Sequence, residues 1–565
     1  MVKKVIKFFY LETAALHKAA YLLGFFAILS QVLAFLRDRL LAHTYGAGQE
    51  LDLYYAAFRI PDFIFVAIAS VVSLSVLVPF IIEKEKNGLT AQAGKEEVKK
   101  FIDDITSFFS ILIFCVSVLA FFLIPSFSSF LFKGFSGEEL SSVIFLSRIM
   151  LLSPIFLGFS NLLGSLTQAY NRFIIYAFAP LLYNAGIIIG IFLLSPRWGI
   201  NGVAMGVVLG AILHLLVQVP FVTKLGLFPK PKLDFNWSSV KRVATLSLPR
   251  TLSLSTSHIA TLFLISIASL MAAGSISIYS FALNIQSVPL SIIGVSYSLA
   301  AFPTLSRHYA DKNIKAFVSQ MAVTTRHIIF WTLPAMALFI MLRAHVTRVL
   351  LGSGLFDWND TRLTAAALAL FSISALSQSL LMLFTRAFYS AGRTRKPFLI
   401  NLISTLILII GTYGLVKLFN AWEAFRYFIG ALLKVDDLTN TAVLMLPLGF
   451  SLGIILNSVV HWISFEKDFG GGFTADVKKT FFDSFSASVI MGAATYVGLN
   501  MFAPILNTTK LWGIFLQGFM AGMLGIMAGV LVLLLLKNKE LEVVWESIHA
   551  RFWKAKVIAT DPEII

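Results

Sequence analysis

The chain has 565 residues, 58% of them hydrophobic and only 13% charged. A water-soluble fold cannot bury that much apolar surface, whereas a bilayer removes the need to bury it, so an all-α polytopic membrane protein is expected. The formal net charge of +16 would point to nucleic acid in a soluble chain; in a membrane protein Lys and Arg collect in cytoplasmic loops, and no nucleic-acid partner is expected.

The chain opens MVKKVIKFFYLETAALHKAAYLLGFF. No small-residue cleavage site follows a short apolar core, so residues 1–17 read as a basic cytoplasmic lead-in rather than a removed signal peptide. Apolar segments long enough to cross a bilayer recur at 18–43, 51–82, 103–125, 140–165, 173–195, 201–223, 244–271, 275–304, 318–345, 362–386, 397–419, 439–465, 480–503 and 511–536. They amount to about fourteen helices, and those longer than the ~20 residues of one crossing tilt or project from the bilayer. The pieces between them are too short for a soluble catalytic domain.

Basic residues mark alternate loops. Lys84, Lys86, Lys95, Lys99 and Lys100 follow the second segment, and Lys224, Lys230, Lys232, Lys241 and Arg242 follow the sixth. Arg307, Lys312 and Lys315 follow the eighth, Arg393, Arg395 and Lys396 the tenth, and the tail carries Lys537, Lys539, Arg551, Lys554 and Lys556. The turns at Gly46 and at Ala272–Gly274 carry no Lys or Arg. This alternation places both termini in the cytoplasm. The tail sequence ELEVVWESIHARFWKAK reads as a basic amphipathic helix lying on the membrane surface.

Two stretches echo each other. Gly46-Ala-Gly followed by LDLYYAAFRIP resembles Ala272-Ala-Gly followed by SISIYSFALNIQSVP, and QAYNRFIIYAFAPLLYN at Gln168 resembles TRAFYSAGRTRKPFLIN at Thr385. Both pairs lie roughly 220 residues apart and join segments of the same parity, which reads as two parallel six-helix halves with a cavity between them. The expected organisation is a lead-in at 1–17, one lobe at 18–225, a cytoplasmic linker at 226–243, a second lobe at 244–466, two further helices at 467–537 and a cytoplasmic tail at 538–565.

The most informative stretch is SQVLAFLRDRLLAHTYGAGQELDLYYAAFRIPDFIF, Ser30 to Phe65. Arg37, Asp38 and Arg39 interrupt one apolar run, and Asp52, Arg59 and Asp62 the next, across the turn at Gly46 and Gly48. Charges inside membrane helices face a protein interior or a water-filled cavity, which points to a transporter rather than an anchor. Arg37 is the leading candidate, because guanidinium matches phosphate oxygens two at a time; neutralisation by Asp38 or Asp52 for packing alone is the alternative. Asp52 reads equally as a gate partner or a helix cap. Pro61, between Arg59 and Asp62, is expected to kink its helix and free backbone groups to line a cavity. Arg250 begins the seventh segment and reads as a snorkelling side chain, and Arg148 fits either role. Asn284, Gln286 and Ser287 precede Pro289 and serve either the cavity or hydrogen bonds between helices.

Enzyme signals are absent. His43, His214, His258 and His461 are scattered and read as core or interface residues, the single cysteine Cys115 gives neither a disulfide nor a metal site, and no P-loop or dinucleotide fingerprint occurs. No cofactor or metal is expected, and no catalysis. Without an ATP site, movement of a substrate would draw on an ion or voltage gradient.

The segment RDRLLAHTYGAGQELDLYYAAFRIPD resembles the opening of the MurJ/MviN lipid II flippases, within the multidrug/oligosaccharidyl-lipid/polysaccharide exporter superfamily. NRFIIYAFAPLLYN, SLPRTLSLSTSHI, GSISIYS, SLAAFPTLS and AFYSAGRTRKPFLIN extend the resemblance, which runs from about Leu22 to about residue 540. It implies fourteen helices, two lobes forming a V plus a last pair that makes a lipid-tail groove. It also implies a lipid-linked pyrophosphoryl glycan as substrate, membrane lipids as surroundings, residence in the bacterial cytoplasmic membrane, and no requirement for an oligomer. On it, Arg37 matches a cavity arginine and Asp52 the aspartate of the second helix; Gln31, Phe65 and Asn284 stand where the family carries further arginines. The readings that follow are a lipid II flippase, a flippase or exporter for another polyprenyl-linked oligosaccharide or small molecule, and, from a different class, a membrane-embedded transferase, for which no acid, His or metal cluster is found. Labelling of cysteines introduced at Lys95 and at Gly354 is expected to come from opposite faces of the membrane; labelling of both from one face would break the topology.

Overall fold

The computed structural model describes residues 16–69, 72, 74–87, 90–232, 234–470 and 472–552. Most of the expected lead-in and the tail beyond residue 552 lie outside the described residues. Where they are described, the fourteen apolar segments fall mainly on helices, and no strand occurs among the described residues. Ten helices among them are long and apolar enough to cross a membrane, and the pair Trp358–Ser372 and Ala375–Ser390, bent by 43°, makes an eleventh. The other expected spans are also helical: Leu16–Tyr45, Gln49–Ile64 with Leu74–Asn87, and Trp237–Ala268, whose apolar part is Ser255–Ala268. The chain is a multi-pass membrane protein.

Local chemistry starts and interrupts these helices. Thr90 caps Ala91–Leu131 by accepting the Ala93 N–H at 3.2 Å. Ser136 and Glu139 form a reciprocal capping box at the start of Gly137–Met150. Pro61 lies inside Gln49–Ile64 and is followed by a wide π turn at Phe65–Ala69; Pro289 is followed by another at Leu290–Val295. Proline supplies no N–H to close a helical turn, and the hydrogen-bonding register slips beyond it. The two helices whose sequences echo each other thus share the same backbone irregularity.

The chain divides into two compact units: Met1–Leu283 with Leu350–Ala367 and Thr394–Gly453, and Asn284–Val349 with Leu368–Arg393 and Ile454–Ile565. In the first, a core of Leu77, Ile81, Ile102, Phe109, Leu162, Leu166 and Val222 is sealed from lipid and water. Helix Phe173–Ile189, continued by a π turn at Gly190–Leu194, approaches Ile200–Leu216 through glycines: a Cβ on Gly186 would stand 2.2 Å from the Gly210 Cα, and one on Gly190 2.6 Å from the Gly206 Cα. Between helices surrounded by lipid there is little hydrophobic gain, so such close backbone packing carries the association. Asp437, between two spans, accepts from Arg362 at 2.7 Å, which holds its carboxyl below the usual carboxylate range.

In the second unit the core is aromatic. Phe317, Phe384, Phe388, Phe465, Phe469 and Phe473 are buried together, with Phe465 5.0 Å from Phe469 and 5.1 Å from Phe473 between ring centroids. Offset and edge-on contacts of this kind contribute about 0.5–1.5 kcal/mol per pair beyond area burial. The helix Lys539–Phe552 of the expected amphipathic tail is tied down by Arg326 to Glu540 at 2.9 Å, and Asn538 caps it through the Glu540 and Leu541 N–H groups.

Overpacking a tight core costs about 1–3 kcal/mol. Gly186→Ile is therefore expected to lower the thermal unfolding midpoint in detergent by several degrees, whereas Gly411→Ala, where a Cβ meets nothing within 4 Å, leaves it unchanged or slightly raised.

Candidate functional site

A carboxylate and a guanidinium adjacent in sequence cannot both hide on one apolar helix face without partners. Helix Leu16–Tyr45 solves this locally. Arg37 donates from Nε and from one terminal nitrogen to Asp38 Oδ1, at 2.9 and 2.7 Å, and from its other terminal nitrogen to Asn184 Oδ1 at 3.0 Å. Asn184 is oriented in turn by donating to the Pro180 carbonyl at 3.2 Å. Asp38 is 4% exposed, while Arg37 keeps 20% of its side-chain surface. A guanidinium carries five N–H groups; one on each terminal nitrogen remains beyond these three bonds.

That remaining surface lines a cavity of about 300 Å³ in the first unit, together with Phe58, Pro61, Asp62, Phe65, Ser153 and Tyr183. Pro61 and the π turn behind it turn Asp62 and Phe65 toward the same space. Asp62 meets His258 at 3.2 Å. Arg37 is the only Lys or Arg on the lining among the described residues, and Asp62 the only acid. A phosphate-bearing group admitted here meets one fixed cation, aromatic walls and the hydroxyls of Ser153 and Tyr183.

The other expected residues lie elsewhere. Arg59 donates to Ser280 Oγ at 3.3 Å, and its Nε is buried without a hydrogen bond, so it ties two helices together rather than lining the cavity. Gln31 is half-buried on its helix and absent from the lining. Asn284 belongs to the second unit, where its carbonyl accepts the Ser287 hydroxyl at 2.7 Å. The side chain of Arg250 lies outside the described residues. Arg148 stacks its guanidinium 4.3 Å above the Phe121 ring.

Asp52 does not face the cavity. It is 3% exposed and accepts the Gly274 N–H at 2.8 Å, the Ser277 N–H at 2.7 Å and the Ser277 hydroxyl at 2.5 Å. These donors belong to the start of helix Ser275–Pro289, whose first N–H groups have no partner within the helix. Asp52 is thus a cap supplied by one repeat to the corresponding helix of the other. The two small-residue turns touch: Gly274, at φ 90°, would place a Cβ 2.1 Å from the Ala47 carbonyl oxygen. Gly46, at φ 62°, lies against Leu355, whose N–H donates to the His43 carbonyl at 3.0 Å. Tyr45 bonds Ser195 at 2.5 Å, Gln49 bonds Glu139 at 2.6 Å, and the Ala47 N–H reaches Asp360 at 3.2 Å. Gly48 is the extended residue before Gln49–Ile64. Because Gly354 sits against His43 at φ 58°, exposed Leu355 is the better position for a labelling cysteine.

Asn184, Tyr183, Ser153 and His258 were not singled out for the site from sequence. Asn184 in LLYN is the one amide in its apolar run; nothing in the sequence pairs His258 with Asp62.

Comparison with known proteins follows the same lines. A family model described as lipid II flippase MurJ matches residues 41–516. A Burkholderia cenocepacia protein described as lipid II flippase MurJ is 23% identical over 508 residues, 86% of this chain and 96% of that one. A Buchnera aphidicola protein described as a probable lipid II flippase MurJ is 27% identical over 395 residues, 69% of this chain and 76% of that one. Among solved structures, a lipid II flippase MurJ in an inward closed conformation superposes with a TM-score of 0.70 at 22% identity, covering 94% of this chain and 99% of that one. An inward-facing multidrug transporter of the MATE family gives 0.60 at 17% identity, covering 80% and 96%. At these identities the structures speak for the fold.

The Asp52 cap generates a stability prediction. Asp52→Ala strands three donors, and hydrogen bonds to a charged group are worth about 1.5–3 kcal/mol, so its unfolding midpoint in detergent is expected to fall clearly. Asp52→Asn keeps an acceptor oxygen and is expected to lose less. An unchanged midpoint for Asp52→Ala would contradict the cap.

Proposed function

Because this chain belongs to the lipid II flippase MurJ family, we propose that it carries lipid II, the undecaprenyl-pyrophosphate-linked peptidoglycan precursor, from the inner to the outer leaflet of the bacterial cytoplasmic membrane by alternating access. The observation that carries this reading furthest is Arg37, with spare N–H groups on the wall of a cavity inside the bilayer-spanning part of the chain. A pyrophosphate entering that space loses water, and a fixed guanidinium offsets part of the loss. Asp38 and Asn184 orient the guanidinium before the substrate arrives, and Asp38 keeps the empty cavity from holding an unpaired charge.

The same reading places both termini in the cytoplasm, on the alternation of basic loops. It takes the chain as two six-helix lobes, 18–225 and 244–466, followed by a last helix pair. It assigns transport rather than catalysis, with a single copy sufficient. No nucleotide-binding loop occurs in the sequence, so the energy source in this reading is an ion or voltage gradient, one charge moved through 100 mV being worth about 2.3 kcal/mol. One observation favours a second reading, a flippase for another polyprenyl-linked oligosaccharide. Gln31, Phe65 and Asn284 carry no charge where the family resemblance expects arginines, and Arg37 is the lone Lys or Arg on the lining among the described residues.

Complementation of a flippase-depleted strain tests the proposal. Arg37→Ala is expected to abolish growth at normal expression, and Arg37→Lys to restore it only in part, since an ammonium lacks the planar fork. Asn284→Ala is expected to be milder, a neutral hydrogen bond being worth about 1 kcal/mol net. Identifying the lipid-linked intermediate that accumulates on depletion separates the two substrates. Full growth with Arg37→Ala would overturn the role of the charge.

A further inference from the structure

A second cavity, of about 510 Å³, opens on another face of the first unit and shares no residue with the first. Its wall is helix Ala91–Leu131 with Ile155 and Phe159, and its rim is the linker segment at Pro231 and Lys232. That segment is strapped to the helix by backbone bonds. The Lys230 N–H donates to Asp103 Oδ1 and the Lys232 N–H to Ser107 Oγ, both at 2.8 Å, with Pro231 between them contributing no donor. Asp103 is also paired with Lys99, which offsets its charge. Phe108 packs edge-on against Trp237, 5.8 Å between centroids, and holds the far end of the strap.

The cavity straddles a boundary of polarity. Helix Ala91–Leu131 has 41 residues, a length of about 60 Å against ~30 Å of hydrocarbon. Its last charged residue is Asp104. Counting the ~20 residues of one crossing back from Leu131 puts the edge of the hydrocarbon near Ile111. Ser107, Ser110 and Lys232 then stand at headgroup level, and Ile113, Phe114 and Cys115 within the apolar layer. Phe114 and Cys115 are exposed on the flank of the protein, which opens the cavity sideways to lipid. Lys232 is the only charged residue on the lining among the described residues and is itself exposed.

We propose that this cavity binds an anionic phospholipid from the surrounding leaflet, one acyl chain lying among Ile113, Phe114, Ile155 and Phe159 and the phosphodiester meeting Lys232. The apolar wall accepts any acyl chain, so selectivity comes from the rim. A lone ammonium at the interface attracts a headgroup with net negative charge and gains less from a zwitterionic one, whose own cation it repels. The ligand is a resident lipid, separate from whatever passes through the Arg37 cavity.

Cys115 is the only cysteine of the chain and sits in the wall, so the unmodified protein reports on occupancy. The full chain, delipidated in detergent, is alkylated with an uncharged maleimide, and the rate at Cys115 is followed with phosphatidylglycerol, with phosphatidylcholine of the same acyl chains, or with glycerol phosphate. Phosphatidylglycerol is expected to slow alkylation at concentrations about fivefold below those at which phosphatidylcholine does, and glycerol phosphate to have no effect. In Lys232→Gln the rate without lipid is expected to be unchanged and the phosphatidylglycerol advantage lost. Equal protection by both lipids, protection by glycerol phosphate, or a phosphatidylglycerol advantage that survives Lys232→Gln would each overturn the proposal.

Discussion

A charged group inside a bilayer has to find its counter-groups within the protein, and the first unit is organised around that requirement. Arg37 meets Asp38 on its own helix and Asn184 on another. Asp62 meets His258, and Asp52 meets the start of helix Ser275–Pro289. Apart from Arg37 with its neighbour Asp38, each pairing joins segments far apart in the chain, so the placement of the helices follows from where these groups are satisfied as much as from apolar packing. One of these pairings is incomplete and faces the cavity: Arg37 retains N–H groups beyond its three bonds to described residues.

The helices were legible because a span is a composition signal, a run of apolar residues of fixed length, and needs no partner to be recognised. Their ends were less so. The third segment was expected over 103–125, yet the helix runs Ala91–Leu131; the charged stretch before Asp103 continues it into water, supported by the i,i+4 pair of Lys99 and Asp103. Gly46-Ala-Gly and Ala272-Ala-Gly echo each other in sequence, and the approach of Gly274 to the Ala47 carbonyl gives one physical reason for a small residue in the second turn.

The site was only half legible. Arg37 and Asp62 announced themselves as charges in apolar runs, and Pro61 as a break. Asp52 announced itself too, but the choice between gate and cap depended on which helix start lay opposite, and that start is 222 residues away. Asn184 and His258 gave no sign of their partners, because a polar residue in a span looks the same whether it faces a cavity, a neighbouring helix or the end of a side chain from elsewhere. Interhelical pairing is a property of facing surfaces, and a single sequence records each surface without its complement.

The wide turns at Phe65–Ala69 and Leu290–Val295 bear on how such surfaces are counted. One additional residue in a helix rotates everything beyond it by about 100°. Side chains on the two sides of the turn therefore share a face at spacings that a regular helix would assign to different faces. A helical wheel drawn straight through Pro61 misplaces every position after Phe65, and the same holds after Leu290. In chains of this architecture, gain or loss of a single residue at these points changes which side chains look inward while leaving the length of the span, and hence its hydropathy profile, almost untouched.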